Sequence, residues 1–240
     1  GASVLATKAA LYSGSGLTYI LAPKCGYEIL QTTCPEAMYL YGGEDFIKNF
    51  SVENDFTYGI GPGLGTDYET EEKLMHFLKN YNEPLVLDAD ALNLISKNSE
   101  NLNLIPKKSI ITPHPKEFSR LFGESKDSFE RLELAKSKAK ELNIYIVLKG
   151  HHTQIITPEG NVFYNITGNS GLAKGGSGDV LLGIITSFLA QGYSPENAAI
   201  FGVWLHGKAA DFTAEQHSKE AMLASDVIQH IGEVFKYLQK

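Results

Sequence analysis

The glycine-rich segment at residues 165–183 contains the residues best suited to chemistry. It reads Asn-Ile-Thr-Gly-Asn-Ser-Gly-Leu-Ala-Lys-Gly-Gly-Ser-Gly-Asp-Val-Leu-Leu-Gly, and its apolar helical character resumes at Val180. Glycine permits positive φ and close approach of the backbone to a ligand, and the first-turn amides of a following helix are free to bind an anion. We therefore predict that Gly176, Ser177 and Gly178 form an anion hole for a transferring phosphoryl group.

Asp179 directly follows this anion hole and is the candidate catalytic residue. Its carboxylate could accept the proton of a substrate hydroxyl that attacks phosphorus. The alternative is that Asp179 only interacts favourably with the helix dipole, as acidic residues in a first helical turn do.

A second polar segment, at residues 149–153, follows an apolar run. Lys149 supplies a point charge and Thr153 a hydroxyl at the two ends of this segment; a solvated strand end is the alternative to a binding role. The neighbouring His151 and His152 could suggest a metal. Because neighbours in a strand point to opposite faces and no third ligand is evident, we predict no zinc site.

Apolar runs that alternate with helical segments must position these residues. We predict strands at 17–21, 56–60, 85–87, 109–111 and 144–148, and helices at 2–12, 66–80, 128–142 and, as three helices, 178–240. This alternation favours an α/β fold with a parallel sheet covered on both faces and with functional loops at the carboxyl ends of the strands. The runs at 154–157 and 162–165 predict a hairpin added to one edge.

Composition restricts the class of protein further. The 240 residues are 43% hydrophobic and 20% charged, with a net charge of −7, which suits one domain over 1–240 and gives no general attraction to nucleic acid or anionic lipid. Two cysteines, Cys25 and Cys34, fit a reducing compartment, so we expect a cytoplasmic protein. No apolar run is long enough to predict membrane insertion. Because the first residues already resemble a helix, we expect that a preceding strand is absent from this sequence.

The longer string Asn-x-Thr-Gly-Asn-x-Gly-Leu-Ala, continued by Gly-Ser-Gly-Asp-Val-Leu-x-Gly, resembles the signature of the NAD(P)H-hydrate dehydratases within the ribokinase-like superfamily. The resemblance covers essentially the whole chain. It implies a three-layer α/β/α sandwich with a mainly parallel central sheet. Segments that agree in order and spacing are 1–2, 61–65, 112–118, 148–153 and 221–227; the last resembles the start of a C-terminal helix that supports the nucleotide side.

The resemblance also implies site residues. The substrate-binding residues would be Ala2, Gly65, His114 and Asp179. The nucleotide-binding residues would be Lys149, Gly150, His151, His152, Thr153 and Gly178. A simple strand-to-helix turn remains the alternative for Gly65, and a rigid loop position remains the alternative for His114.

Four other polar or aromatic residues receive lesser roles. Asp88 and Asp90 would lie at the edge of the cleft, or would cap a helix. Trp204 and His206 lie in an apolar helical stretch and are interpreted as core residues.

The implied reaction repairs hydrated NADH or NADPH. The 6-hydroxyl attacks a terminal phosphoryl group with Asp179 as base, the phosphate ester eliminates, and ADP becomes AMP and phosphate. Histidine at position 114 resembles the bacterial branch, which uses ADP; ATP is the other candidate co-substrate, and Mg²⁺ the implied cofactor. The implied partners are further copies of the chain, as a tetramer in relatives, and an NAD(P)H-hydrate epimerase, fused upstream in many of them.

Two other functions use the same features. A kinase for a small molecule such as a vitamin alcohol would share the Gly-Ser-Gly-Asp chemistry but leave phosphate on its product. A regulatory nucleotide-binding module without catalysis is disfavoured because binding alone does not need a base at Asp179.

Overall fold

Short buried strands alternate with longer helices in the computed structural model, which describes residues 1–50, 53 and 55–239. The helices are α1 Ala2–Tyr12, α2 Tyr27–Thr33, α3 Tyr68–Asn80, α4 Ala89–Ile95, α5 Pro115–Phe122, α6 Ser128–Leu142, α7 Ser177–Ala190, α8 Pro195–Ala221 and α9 Ala224–Leu238. The strands are β1 Tyr19–Ala22, β2 Met38–Tyr41, β3 Gly59–Ile60, β4 Val86–Leu87, β5 Ile110–Ile111, β6 Tyr145–Leu148, β7 Gln154–Ile156 and β8 Val162–Tyr164.

The main sheet has six strands in the order β3-β4-β5-β6-β7-β8. Strands β3 to β6 are parallel, whereas β6, β7 and β8 are successively antiparallel. Strands β1 and β2 form a separate parallel pair. The predicted parallel sheet with an edge hairpin is confirmed.

Alternate residues of each central strand enter different cores. Val86, Ile110 and Val147 join the core formed with α1, α7, α8 and α9. Their neighbours in the same strands, such as Leu87 and Ile111, join the core formed with α3 to α6. Side chains alternate along a strand, so helices pack on both faces of the sheet. The three-layer α/β/α architecture is therefore confirmed.

Several predicted elements differ from the structure in length. The strand predicted at 56–60 is two residues long, because Phe56 and Tyr58 instead join an aromatic cluster, with Tyr58 4.9 Å from Phe77 between ring centroids. Helices α4 and α5, of seven and eight residues, are too short for apolar periodicity to reveal, and α2 and β2 were not predicted either.

The three C-terminal helices are confirmed, but α8 contains one non-helical residue, Ser218, with φ 61° and ψ 158°. Lys240, the last residue of the predicted third helix, lies outside the described residues. Among the described residues, no helix has the length and apolar character needed to cross a membrane.

Gly183 allows α1 and α7 to pack closely, because a Cβ there would collide with the carbonyl oxygen of Ala6 and lie 2.9 Å from the Cβ of Ala9. We expect Gly183→Ala to lower the free energy of unfolding by about 1–3 kcal/mol through overpacking. Gly232 in α9 is the matched control, since a Cβ there meets nothing within 4 Å. Gly232→Ala should stabilise the protein by about 0.5–1 kcal/mol. Urea unfolding measures both, and equal shifts would contradict the packing argument.

Candidate active site

The residues of the predicted anion hole lie at the start of α7. Gly176 precedes the helix with φ 94° and ψ −20°, a left-handed conformation that glycine adopts without strain. The Ser177 amide lies 3.5 Å from the Lys174 carbonyl oxygen, and the Val180 amide donates to the Gly176 carbonyl at 3.1 Å. The amides of Gly178 and Asp179 lie between these two, in the first helical turn, where no intrahelical acceptor exists.

Helix α8 holds the glycine-rich segment in place. Asp211 accepts from the Gly168 amide at 3.0 Å and from the Asn169 side chain at 3.1 Å. The Thr167 hydroxyl donates to the Trp204 carbonyl at 3.0 Å. Asp211 therefore positions the segment that leads to the anion hole. Nothing in the sequence pattern distinguishes it from other polar residues of a long helix.

The segment at 221–227 packs against the same loop. Lys174 Nζ donates to the Met222 carbonyl at 2.9 Å, and also contacts the Glu220 carbonyl. A Cβ on Gly176 would lie 3.1 Å from the Cβ of Ala224. The start of α9 therefore packs against the glycine-rich loop and supports it.

Lys149 extends from the end of β6 to the start of α7. Its Nζ lies 2.7 Å from Asp88 Oδ1 and 3.7 Å from Glu117 Oε2. A Cβ on Gly178 would lie 3.3 Å from this Nζ and 3.2 Å from Asp88 Oδ2. The ammonium, two carboxylates and the anion hole thus meet at one place.

Burial is the largest cause of a raised pKa at both Asp88 and Asp179. Burial raises the pKa of Asp88, while the neighbouring Lys149 opposes that rise. Burial also raises the pKa of Asp179, and the negative charge of Asp88 raises it further. A carboxylate with a raised pKa is a stronger base, which suits proton abstraction.

His114 and Glu117 are fixed to each other at the start of α5. His114 Nδ1 accepts from the Lys116 and Glu117 amides at 3.1 and 3.2 Å, and the His114 amide donates to Glu117 Oε2 at 2.8 Å. Because Nδ1 accepts, Nε2 carries the hydrogen in the neutral ring. Nε2 lies 3.5 Å from Glu117 Oε1, and the half-exposed imidazole presents this N–H donor beside that carboxylate.

Two residues predicted for the substrate side, Gly65 and Ala2, lie in or beside the loop that follows β3. The Gly65 amide donates to Asp90 Oδ2 at 3.0 Å, and Gly65 has φ 80°. The Cβ of Ala2 lies 3.5 Å from the position of a Cβ on Gly63. The loop at 61–65 and the start of α1 are thus adjacent.

The predicted strand geometry of His151 and His152 is wrong. Both lie in the connection between β6 and β7, and their ring centroids are 4.5 Å apart in an edge contact. The reason is that β6 ends at Leu148, so residues 149–153 must reverse the chain direction. Both histidines and Gly150 are exposed, while the Thr153 hydroxyl lies 3.4 Å from the Gly150 carbonyl. Among residues 149–153, which were predicted to bind the nucleotide, the Lys149 side chain reaches the start of α7.

Asp88 and Glu117 have a larger part in the site than the sequence indicated. Asp88 occupies the residue before α4 but makes no capping hydrogen bond with its side chain, which contacts Lys149 instead. Its position after a buried strand was the available signal. Glu117 lay within the resembling segment at 112–118 without an assigned role.

His206 and Trp204 pack in the core as predicted, His206 fully and Trp204 partly buried. Burial and then the charge of Lys149 lower the pKa of His206 to about 4. This imidazole is therefore neutral at physiological pH.

The fold and this site define the class of protein, a ribokinase-like α/β protein with a Gly-Ser-Gly-Asp helix start. The crystal structure of the ADP/ATP-dependent NAD(P)H-hydrate dehydratase of Bacillus subtilis, co-crystallised with ATP and Mg²⁺, is similar with a TM-score of 0.83 and 34% identity, over 99% of this chain and 84% of that chain. A sequence model of the NAD(P)H-hydrate dehydratase family matches residues 1–233, and the chain belongs to that family.

Two curated relatives support this membership. The ADP-dependent (S)-NAD(P)H-hydrate dehydratase of Neisseria meningitidis is 38% identical over 95% of this chain and 78% of its own length. The bifunctional NAD(P)H-hydrate repair enzyme of Moorella thermoacetica is 37% identical over 100% of this chain but 48% of its own length. The chain therefore spans about half the length of the bifunctional relative.

Proposed function

We propose that the protein dehydrates (6S)-hydrated NADH or NADPH to the reduced cofactor while ADP becomes AMP and phosphate. The observation that carries this proposal is the position of Asp179, a half-buried carboxylate of raised pKa in the same helical turn as the anion-hole amides. Family membership and the names of the two relatives support the substrate and the use of ADP.

In this mechanism the substrate 6-hydroxyl attacks the terminal phosphorus of the nucleotide. Its proton passes to the Asp179 carboxylate, an O–P bond forms, and the bond from phosphorus to the AMP oxygen breaks. Amides at the start of α7 and the Lys149 ammonium stabilise the negative charge on the phosphoryl oxygens. The phosphate ester then loses phosphate from carbon 6 and a proton from the neighbouring carbon, which restores the dihydropyridine.

We propose that Ala2, Gly65 and His114 surround the hydrated ring. Ala2 and the 61–65 loop form one side, where small residues leave room for a substrate, and His114 Nε2–H is a donor. Lys149, Gly150, His151, His152, Thr153 and Gly178 are proposed to bind the nucleotide, with Lys149 and Gly178 nearest the phosphates.

Mg²⁺ suits the same place. Lys149 contacts Asp88 Oδ1, Asp88 Oδ2 lies 3.2 Å from the position of a Cβ on Gly178, and Glu117 Oε2 lies 3.7 Å from the ammonium. Proteins commonly hold Mg²⁺ through one or two carboxylates together with substrate phosphates, and Asp88 and Glu117 would be these carboxylates. When bound, the ion would neutralise charge on the phosphoryl group. Among the described residues, no group of three or more His, Cys, Asp or Glu side chains is placed to hold a metal ion.

The test is to add the protein, Mg²⁺ and either ADP or ATP to hydrated NADH and to follow the absorbance of reduced nicotinamide. We expect recovery with one AMP and one inorganic phosphate released from ADP per NADH formed. Faster recovery with ATP than with ADP would overturn the proposed nucleotide preference. Phosphate that stays on a product would instead support the small-molecule kinase.

We further propose that residues 1–240 belong to one domain whose sheet is completed by a strand between β1 and β3. A cavity of about 450 Å³ lies between these strands, lined also by α1 and α7. In the described part of the chain, β1 and β3 each lack a neighbour on the side of this cavity. The Cβ of Ala2 lies 3.5 Å from the position of a Cβ on Gly63, in the loop that follows β3.

A strand-forming extension tests this proposal. We expect about five Val- and Ile-rich residues joined before Gly1 to raise the midpoint of thermal unfolding and to protect the amides of Leu21 and Gly59, which point away from β2 and β4, from hydrogen exchange. The matched control carries proline at the centre of the extension, which removes a donor from the ladder. Equal protection by both extensions would contradict a paired strand.

We also propose a functional partner, an assembly and a cellular compartment for the protein. Bifunctional relatives support an epimerase as the functional partner, fused or separate. A homotetramer is the proposed assembly, which light scattering would test. The cytoplasm is the proposed compartment, supported by Cys25 and Cys34, which form no disulfide.

A further inference from the structure

We propose that Asp88 is a positioning residue. Its buried carboxylate holds the Lys149 ammonium at the start of α7, so that the ammonium is already in position when a phosphate binds there. The proposal rests on the proposed function in one respect, that a nucleotide phosphate is the ligand of Lys149. It does not depend on the dehydration step.

The first support is the environment of the ion pair. The Asp88 side chain is 2% exposed and that of Lys149 is 21% exposed, with 2.7 Å between Oδ1 and Nζ. Asp88 makes no capping bond to α4, although it occupies the residue where such a bond would form. The Asp88 carboxylate thus makes its ion pair with Lys149 instead of capping α4.

The second support is that the backbone of Asp88 is fixed on both sides. Its amide donates to the Ile60 carbonyl at 3.1 Å, and its carbonyl oxygen lies where a Cβ on Gly61 would be. The next residue, Ala89, has φ 48°, a left-handed conformation that costs a non-glycine residue free energy. The fold maintains this conformation directly beside Asp88.

The consequence for binding follows from the chemistry of lysine. A lysine has a flexible stem and three N–H donors, so one bond to Asp88 leaves donors for a phosphate. The same bond neutralises Asp88. Without Lys149, the carboxylate beside Gly178 would repel the phosphate instead. Asp88 should therefore help binding when Lys149 is present and hinder it when Lys149 is absent.

Calorimetric titration with ADP in EDTA tests this reversal and removes any contribution from a metal ligand. We expect Asp88→Asn to weaken ADP binding by about tenfold in the wild-type background, because the ammonium is no longer held. In the Lys149→Met background, the same substitution should strengthen binding. Effects of equal sign and size in both backgrounds would overturn the proposal, because independent residues act additively.

Asp90→Asn is the matched control, since Asp90 carries the same charge two residues later but binds the Gly65 amide. Its effect on ADP binding should be the same in both backgrounds. Asp88→Ser serves as the second variant if Asp88→Asn does not fold.

The outcomes separate the two proposals. ADP binding with the reversal but without dehydration of hydrated NADH would remove the proposed function and leave the role of Asp88 standing. Absence of ADP binding by the wild-type protein would overturn the role of Asp88 itself.

Discussion

Replacement of Asp179 by asparagine is expected to lower kcat for dehydration by about 10²- to 10⁴-fold, because the substrate hydroxyl loses its general base. Asparagine has nearly the same shape but cannot accept the proton. ADP affinity should change little, since the anion-hole amides belong to the backbone. Steady-state rates with hydrated NADH, together with ADP titration, measure the two effects separately.

Glu130→Gln provides the control for the alternative role of Asp179. Glu130 is also an acidic residue in the first turn of a helix, α6, which contains none of the proposed site residues. Its substitution should cost a few tenths of a kcal/mol to about 1 kcal/mol of stability through the helix dipole and leave kcat unchanged. If Asp179→Asn reduced stability to the same degree and left kcat intact, Asp179 would be a dipole residue and not the base.

The raised pKa of Asp179 also predicts the pH dependence of the rate. The base acts in its deprotonated form, and burial together with the charge of Asp88 raises its pKa. The acidic limb of kcat/KM should therefore lie above the ordinary aspartate value of about 3.9. Asp88→Asn removes one cause of the rise, so it should move this limb to lower pH.

Lys149→Met is expected to have the largest effect on stability, about 3 kcal/mol at neutral pH, because it leaves the buried Asp88 carboxylate without its partner. The loss should depend on pH in a defined direction. The pKa of Asp88 is already raised by burial against the influence of Lys149, so removal of Lys149 raises it further. Urea unfolding from about pH 4 to pH 8 measures the loss.

The direction in which this loss of stability changes with pH follows from proton linkage. Below the unfolded-state pKa of about 3.9, Asp88 is protonated in both states and the substitution costs little. As pH rises towards the raised folded-state pKa, the unfolded chain releases the proton first, and stability is lost. Lys97→Met is the control: Lys97 pairs with Glu71 at 2.8 Å but is 42% exposed, so we expect a loss below about 1 kcal/mol with no such trend. A loss for Lys149→Met that does not change with pH would contradict a buried, unpaired Asp88.

Local sequence determined which chemical groups stand at the start of α7. Glycines at 176 and 178 with Asp179 after them specify a left-handed turn, free amides and a carboxylate within four residues, and such features are local in the chain. The strand–helix alternation determined the sheet for a similar reason, because apolar periodicity reports which faces are buried.

Tertiary structure decided the residues that surround this helix start. The sequence was equally consistent with Asp88 as a helix cap. Only the contact with Lys149, which follows β6 and lies 61 residues later in the chain, shows where its carboxylate lies. Asp211 fixes the glycine-rich segment from 43 residues away. His151 and His152 were treated as strand neighbours although the predicted strand ends at Leu148, because the conformation of the connection depends on the antiparallel pairing of β6 with β7. Ion pairs and strand ends arise from contacts between distant segments, and a single sequence specifies these contacts through the packing of the whole domain rather than through any local pattern.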